Sequence, residues 1–511
     1  MKSPLMRFST RRILALTLVL ALACFLSGTR HHTIAVQAAQ EHTFTATEAV
    51  IPNAPFVTNN GQIPPPSEYS GPMFTLSHAW PIKPPLPMKD PPWQKAIGGG
   101  QITTQNAAAY VDALKQYVTP NARVLLLDYK NWDAAKAKWY TEPWLGSIRE
   151  SIHGTYQAGQ FGSPVFPGTG LLVTFDTHVL TYYDERAAYA LHKVWGTAAT
   201  NPQIFTSNFQ FPEGSVIVKA AIFASDNPAI QQNWWPVTSG AAAWPIYFSI
   251  PEQADPSNPP IVQTGYVMQF DIIVKDSVAA PKTGWVFSTL VYDLNAPGDA
   301  WDKMVPLGVQ WGNDPGIDPE TNPAAKLQEN WINPAAPLYS TQTLGWGGRL
   351  SGPNDGARND IQVDKQVMIN HPDSSCMSCH SPAQWQPTQH KMLTFLFPSY
   401  PNPNTQPHQP PYKPCPNGLA SDPYVCSPAP ASADWWRWFQ NREGTQPFDP
   451  KSGSIATDFD MVFAFKTLPA WWKATGPKTA AEPFAMRTLN HGQNPPAKFN
   501  EYTGAPLKPQ N

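Results

Sequence analysis

Apolar positions change period several times along the chain, and each period predicts an element. Between residues 103 and 118, Tyr110, Val111, Leu114, Tyr117 and Val118 recur on one face of a 3.6-residue repeat. A helix is expected there, capped by Thr103 or Thr104 and stopped at Thr119-Pro120. Val124-Leu125-Leu126-Leu127 then reads as a strand, as does 171–180. A second helix over 184–195 puts Ala188, Leu191, His192 and Trp195 on one face, with His192 as a partly buried structural histidine. Better strands follow at 215–224, 245–250, 266–275 and 285–292. In the third of these, Tyr266, Met268, Phe270, Ile272 and Val274 point one way while Gln269, Asp271 and Lys275 point the other, the alternation of a half-solvated sheet. Strands at this spacing, joined by Pro/Gly/Asn-rich turns, predict a mainly antiparallel β domain over 96–315, sandwich or jelly-roll-like with few helices.

Ahead of that domain the periodicity fades. Residues 1–38 read as a signal peptide: Lys2, Arg7, Arg11 and Arg12 precede an apolar run from Ile13 to Leu26, and Val36-Gln37-Ala38 supplies small residues before a cut. The run is too short for a comfortable span, so no stable membrane span is expected after cleavage. Thr10-Arg11-Arg12 loosely fits a twin-arginine signal and Ala21-Leu22-Ala23-Cys24 a lipoprotein site, both imperfectly. Residues 39–95 are a proline-rich lead-in, with runs such as Ile63-Pro64-Pro65-Pro66. A periplasmic or secreted protein is implied. A net charge of -2 with 14% charged residues gives no electrostatic reason to expect nucleic acid. The β domain carries no P-loop, dinucleotide glycine fingerprint, G-x-S-x-G or H-E-x-x-H, so no catalytic chemistry is legible in it.

Chemistry enters at Cys376-Met377-Ser378-Cys379-His380, a single C-x-x-C-H run. Two thiols three residues apart can each add to a vinyl group of one haem, and the next residue can ligate its iron, so covalent haem c is expected on Cys376 and Cys379 with His380 as an axial ligand. On this motif, residues 345–465 resemble a monohaem c-type cytochrome segment behind an N-terminal β-rich region. The resemblance implies an irregular, mostly helical, cytochrome c-like haem region, followed by a tail at 466–511. Export leaves Cys415 and Cys426 as the remaining cysteine pair, and in an oxidising compartment a disulfide is their simplest state. A zinc site using Cys376, Cys379 and Cys415 or Cys426 suits the spacing less well.

Other candidates gather around the motif. In Leu344-Gly345-Trp346-Gly347-Gly348-Arg349-Leu350 the glycines let backbone come close, and Arg349 could pair with a haem propionate as readily as serve as a plain surface arginine. A short helix from Ser432 to Gly444 carries Trp435, Trp438 and Phe439, which could pack on the porphyrin or on protein alone. Met461, between Phe459 and Phe463 on an expected strand or extended loop, is the first choice of distal iron ligand. His390, His371, Met392, Met486 or an open position are the alternatives. Two functions follow. One is an electron carrier serving an unidentified redox protein; the other is a haem oxidoreductase with an open axial site or a substrate site in the β domain.

Overall fold

The helix nearest the start of the β domain runs straight through its expected stop. In the computed structural model of the chain, α1 (Ala107–Leu127) contains Pro120 and absorbs the stretch expected to be a strand at 124–127. An interior proline costs about 3 kcal/mol. However, Val118, Ala122, Leu125 and Leu126 continue the buried stripe of Tyr110, Val111 and Leu114. Burying the two leucines alone contributes about 1.5–3 kcal/mol each, so packing overrides the breaker. Thr119 Oγ1 donates back to the Lys115 carbonyl at 2.6 Å across the interrupted turn.

The structure describes residues 55–204, 209–249 without 228 and 231, 260–354 without 320, 360–363, 366–369, 374–392 and 433–476. The signal segment 1–38, His371, Cys415, Cys426 and Met486 lie outside them, as does the side chain of Met392. Among the described residues no helix is long and apolar enough to cross a membrane.

The protein is mostly β. An eight-stranded antiparallel sheet is built from β1 (Tyr156–Phe161), β2 (Phe175–Tyr183), β3 (Val216–Ser225), β4 (Ala243–Phe248), β5 (Ile261–Lys275), β6 (Trp285–Tyr292), β7 (Met304–Gln310) and β8 (Asn330–Ile332). Its order is β1-β2-β3-β5-β6-β7-β8. The long β5 pairs with β3 along one edge, and with β6 and then β4 along the other. Pro245 sits in β4, where a missing N–H is tolerated because only one neighbour pairs with that strand. The other described strands form a two-stranded and a three-stranded sheet, so the layers packed on the large sheet are helix and loop rather than a second large sheet. Strands β1, β7 and β8 were not expected from the sequence pattern. The helix at 184–195 is α2 (Glu185–Trp195), capped by the Asp184 side chain on the Ala187 N–H at 2.8 Å. His192 is half-buried in its last turn.

Register sorts the sheet into two faces. Leu180, Tyr182, Val218, Phe270, Ile272 and Val274 share one core with α1. The opposite face carries Thr181, Tyr183, Ile217, Lys219, Asp271, Ile273, Lys275, Trp285 and Phe287. This second face was expected to be half solvated, and it is not: Gln269, Asp271 and Lys275 are all buried. The motif helix (Cys376–His380) and residues 455–475 cover it, with Met377, Phe459, Phe463 and Leu468 in one core with Tyr183, Ile217, Trp285 and Phe287. Polar groups survive there because they are paired. Lys219 meets Asp271 at 3.1 Å, and Gln269 and Thr289 also donate to Asp271. The described part of 345–465 mixes short helices and short strands, and the mostly helical region expected there is not shown.

Candidate functional site

Ser375 starts the motif helix as its N-cap. Its Oγ accepts from the Ser378 N–H at 3.2 Å, while Ser378 Oγ accepts from the Ser375 N–H at 2.7 Å, a reciprocal capping box. The helix is docked by its own backbone: Cys376 N–H donates to the Leu350 carbonyl at 2.9 Å and Met377 N–H to Gln310 Oε1 at 3.0 Å. Gln310 is on β7 opposite Phe287, so the sheet itself holds the helix. Met377, between the two cysteines, is fully buried and anchors the turn. Cys376, Cys379 and His380 are all half-exposed. Residues three and four apart share a helix face, so both thiols and the imidazole are presented together. Gly345 matters as expected, since a Cβ there would lie 2.0 Å from the Ser374 carbonyl oxygen just ahead of the motif.

His380 Nδ1 is 2.9 Å from the Phe459 carbonyl oxygen. That contact makes Nδ1–H the donor and puts the lone pair on Nε2, the usual way a second partner sets tautomer and ring angle. The Phe287 ring lies 4.7 Å from the imidazole.

The carbonyl is delivered by an uncommon backbone. Asp458 and Phe459 have φ of 48° and 67°, two consecutive non-glycine residues in the left-handed region. Such residues cost about 1–3 kcal/mol each and persist where surroundings over-determine them. Here the lock is the Asp458 carboxylate, fully buried, which accepts from Lys275 Nζ at 2.6 Å, Trp285 Nε1 at 2.8 Å and the Phe211 N–H at 2.8 Å. Two residues on, Asp460 accepts from the Tyr183 hydroxyl at 2.9 Å and the Phe463 N–H at 3.1 Å. Burial pushes its carboxyl up. Burial, and then the Asp460 charge, push the Glu142 carboxyl well above the usual range.

Met461 and His380 line the same crevice, with Thr181, Ile217, Phe287 and Phe459 among its walls. Its volume is about 50 Å³, room for a water-sized ligand and far too little for a porphyrin. The extended segment expected around Met461 is instead helical from 461 to 475, with a π turn at Phe463–Thr467. Phe459, Met461 and Phe463 therefore do not alternate along a strand. Met461 is half-buried against Ala383, Ala464 and Phe465, while Phe459 and Phe463 enter the core under the sheet. The pattern misled because Asp460, which caps the Phe463 N–H, is itself buried and reads as a strand's polar side.

The remaining candidates are elsewhere. Arg349 is fully buried, donating to the carbonyls of Asn313, Trp346, Asp314 and Ile317 at 2.8–3.0 Å. Its guanidinium stacks on Trp346 and Phe439, at 4.6 and 5.1 Å from the ring centres. It therefore ties three chain segments together rather than lying on the surface. Trp435, Trp438 and Phe439 are buried: Trp435 packs on Trp346 and Phe439, and Trp438 on Phe448. His390 stacks on Trp472. No group of three or more His, Cys, Asp or Glu side chains forms a metal cluster among the described residues.

The donor set fits a thioether-linked haem: two thiols on one helix face, followed by an imidazole whose tautomer is set. The indole N–H groups of Trp346, Trp385 and Trp438 are buried with no hydrogen-bond partner among the described residues. Sequence reasoning missed Asp458, Lys275, Gln310 and the Phe459 carbonyl. The Asp458-Phe459-Asp460 run, two acids inside an apolar stretch, was the available signal. No protein-family model, no curated protein and no solved structure matches this chain.

Proposed function

We propose that the protein is an exported c-type cytochrome with one covalent haem c, passing single electrons to or from a protein partner. The observation that carries the reading is the motif helix, which places Cys376, Cys379 and His380 on one face while the Phe459 carbonyl orients the imidazole. In this reading the two thiols form the thioethers, and His380 Nε2 is the proximal ligand. Residues 345–465 are the haem-bearing, cytochrome c-like segment behind the β-rich region. Haem so held supplies a one-electron couple whose potential depends on its axial ligands and burial. Met461 stays the distal ligand we favour as the methionine lining the crevice beside His380, and this reading requires that crevice, about 50 Å³ here, to open around the porphyrin. The buried Trp285 and Phe287 side of the sheet excludes water behind the imidazole and lowers the local dielectric.

Denaturing electrophoresis of periplasmically expressed protein, stained for peroxidase activity, tests attachment. A stained band is expected, lost in Cys376→Ala/Cys379→Ala protein. Extraction of all colour into acid acetone would remove the basis of the proposal. Met461→Ala should abolish the sulfur-to-iron charge-transfer band and admit carbon monoxide. Rapid carbon monoxide binding by the unmodified protein would favour the oxidoreductase reading instead.

A further inference from the structure

Two arginines beside the motif carry charges that no acid answers. Arg437 lies in the last turn of the short helix Ala433–Trp438, and Arg442 follows it closely in the chain. Both guanidinium groups lie on the buried Phe448 ring, at 4.8 and 4.9 Å from its centre. Arg442 Nη1 donates to Ser381 Oγ at 3.3 Å and its Nη2 to the Arg437 carbonyl, so it joins the end of the motif helix to the end of this one. Ser381 is buried and directly follows His380. The Arg437 side chain makes no hydrogen bond among the described residues, and its described contact is with Phe448.

The described ion pairs use Arg123, Lys138, Lys219, Lys275 and Lys282, and neither of these arginines joins one. Burial, and then the Arg437 charge, push the Arg442 guanidinium down to about 10. Two like charges held on one ring repel, and cation–π contact with a phenylalanine returns little of that. A doubly negative, acceptor-only group lying against the pair would balance it. Arginine suits such a partner, because its planar fork meets a carboxylate with two parallel N–H bonds. Arg437 has its whole fork unspent, and Arg442 keeps Nε and one hydrogen on each terminal nitrogen. Arg349 is not available for this role, since the carbonyls of Asn313, Trp346, Asp314 and Ile317 already occupy its guanidinium.

We infer that Arg437 and Arg442 are the counter-ions of the two haem propionates. The assignment rests on the proposed covalent haem c. Haem brings two carboxylates that are ionised at neutral pH, and thioether-linked Cys376 and Cys379 with a neutral His380 imidazole carry no charge to meet them. Arg442 reaches the residue next to His380, and the shared Phe448 ring keeps Arg437 beside it.

Resonance Raman spectroscopy and potentiometry of the periplasmically expressed holoprotein test this with Arg437→Gln, Arg442→Gln and Arg437→Lys. All three should keep a peroxidase-stained band, since attachment uses the two thiols. Each glutamine variant should shift the propionate-bending band. Loss of a positive charge favours the oxidised centre, so each should also move the equilibrium with a fixed redox mediator about threefold toward oxidised protein. Arg437→Lys keeps the charge but not the fork, so it should shift the band and leave the equilibrium where it is. If Arg442→Gln fails to fold because it joins two helix ends, Arg437→Gln decides alone, having no side-chain hydrogen bond to lose among the described residues. A stained Arg437→Gln protein with an unmoved propionate band overturns the inference and leaves the haem reading standing. So does an Arg437→Lys protein whose equilibrium moves as far as that of Arg437→Gln. A parent protein without a stained band removes the haem reading and this assignment with it.

Discussion

Replacing Asp458 by Ala puts the geometry around His380 under direct test. The carboxylate is fully buried and Lys275 nearly so, and their 2.6 Å contact lies between the sheet and the segment that covers it. Removing one partner of such a pair leaves an uncompensated buried charge, which costs about 3–5 kcal/mol. The Trp285 indole and Phe211 N–H also lose their acceptor, worth about 1–3 kcal/mol each where no water enters. Lys275 keeps Gln210 Oε1 at 3.0 Å and can lean toward it, so the losses do not simply add. A net loss of about 4 kcal/mol is therefore expected. Lys275→Met/Asp458→Ala should recover about 2 kcal/mol of it, because the stranded charge is gone while the two neutral donors stay unmet. Urea unfolding followed by far-ultraviolet circular dichroism measures both differences. They should be the same at low and high salt, since a buried pair is little screened. An Asp458→Ala protein within 1 kcal/mol of the parent, or a double variant no more stable than the sum of the singles, would refute the view that this pair locks the covering segment to the sheet.

Two further outcomes follow from the same packing. Burial pushes the imidazoles of His153 and His178 down to about 3, so the folded state binds fewer protons than the unfolded state below the ordinary value near 6.5. The associated stability is present above about pH 6.5 and is lost as pH falls toward 3, reaching about 2 kcal/mol per histidine at pH 5. His178→Phe should flatten the acid limb of a stability-against-pH curve by one such increment, and an unchanged slope would exclude His178 as a source. Gly345→Ala forces a Cβ to within 2.0 Å of the Ser374 backbone and should destabilise by more than about 3 kcal/mol. Gly348→Ala meets no atom within 4 Å and pays only for its left-handed φ, about 1 kcal/mol. Thermal melts of the two variants should separate them clearly.

What could be read in advance was whatever depends on neighbours in sequence. The C-x-x-C-H spacing, the Asp184 cap with its 3.6-residue stripe, and the bounds of β6 all belong to that class, because each rests on contacts within a few residues. The misreadings share the opposite property. Pro120 marks a stop only until Leu125 and Leu126 find a sheet to pack on. Gln269, Asp271 and Lys275 look like a wet face until Asp458 arrives from 183 positions beyond Lys275. The short strands β1 and β8 lack a long alternation of their own and are recruited by β2 and β7. Met461 lies on a helix and not on the expected strand or extended loop, since the Asp460 cap that starts that helix resembles the polar half of a strand.

The left-handed Asp458–Phe459 turn also ties the chemistry at the motif to the completeness of the fold. Both thiols and the imidazole are carried by five adjacent residues, so in the proposed haem reading every attachment residue lies in that short stretch of chain. The carbonyl that orients His380 arrives from 79 residues downstream, and it stays in place through a lysine on a central strand. A chain ending before residue 458 would keep Cys376, Cys379 and His380 and all eight strands of the large sheet, yet lose the carbonyl that orients the imidazole. In the proposed reading the attachment residues are local in sequence, whereas the orientation of the imidazole depends on the two ends of the described fold having met.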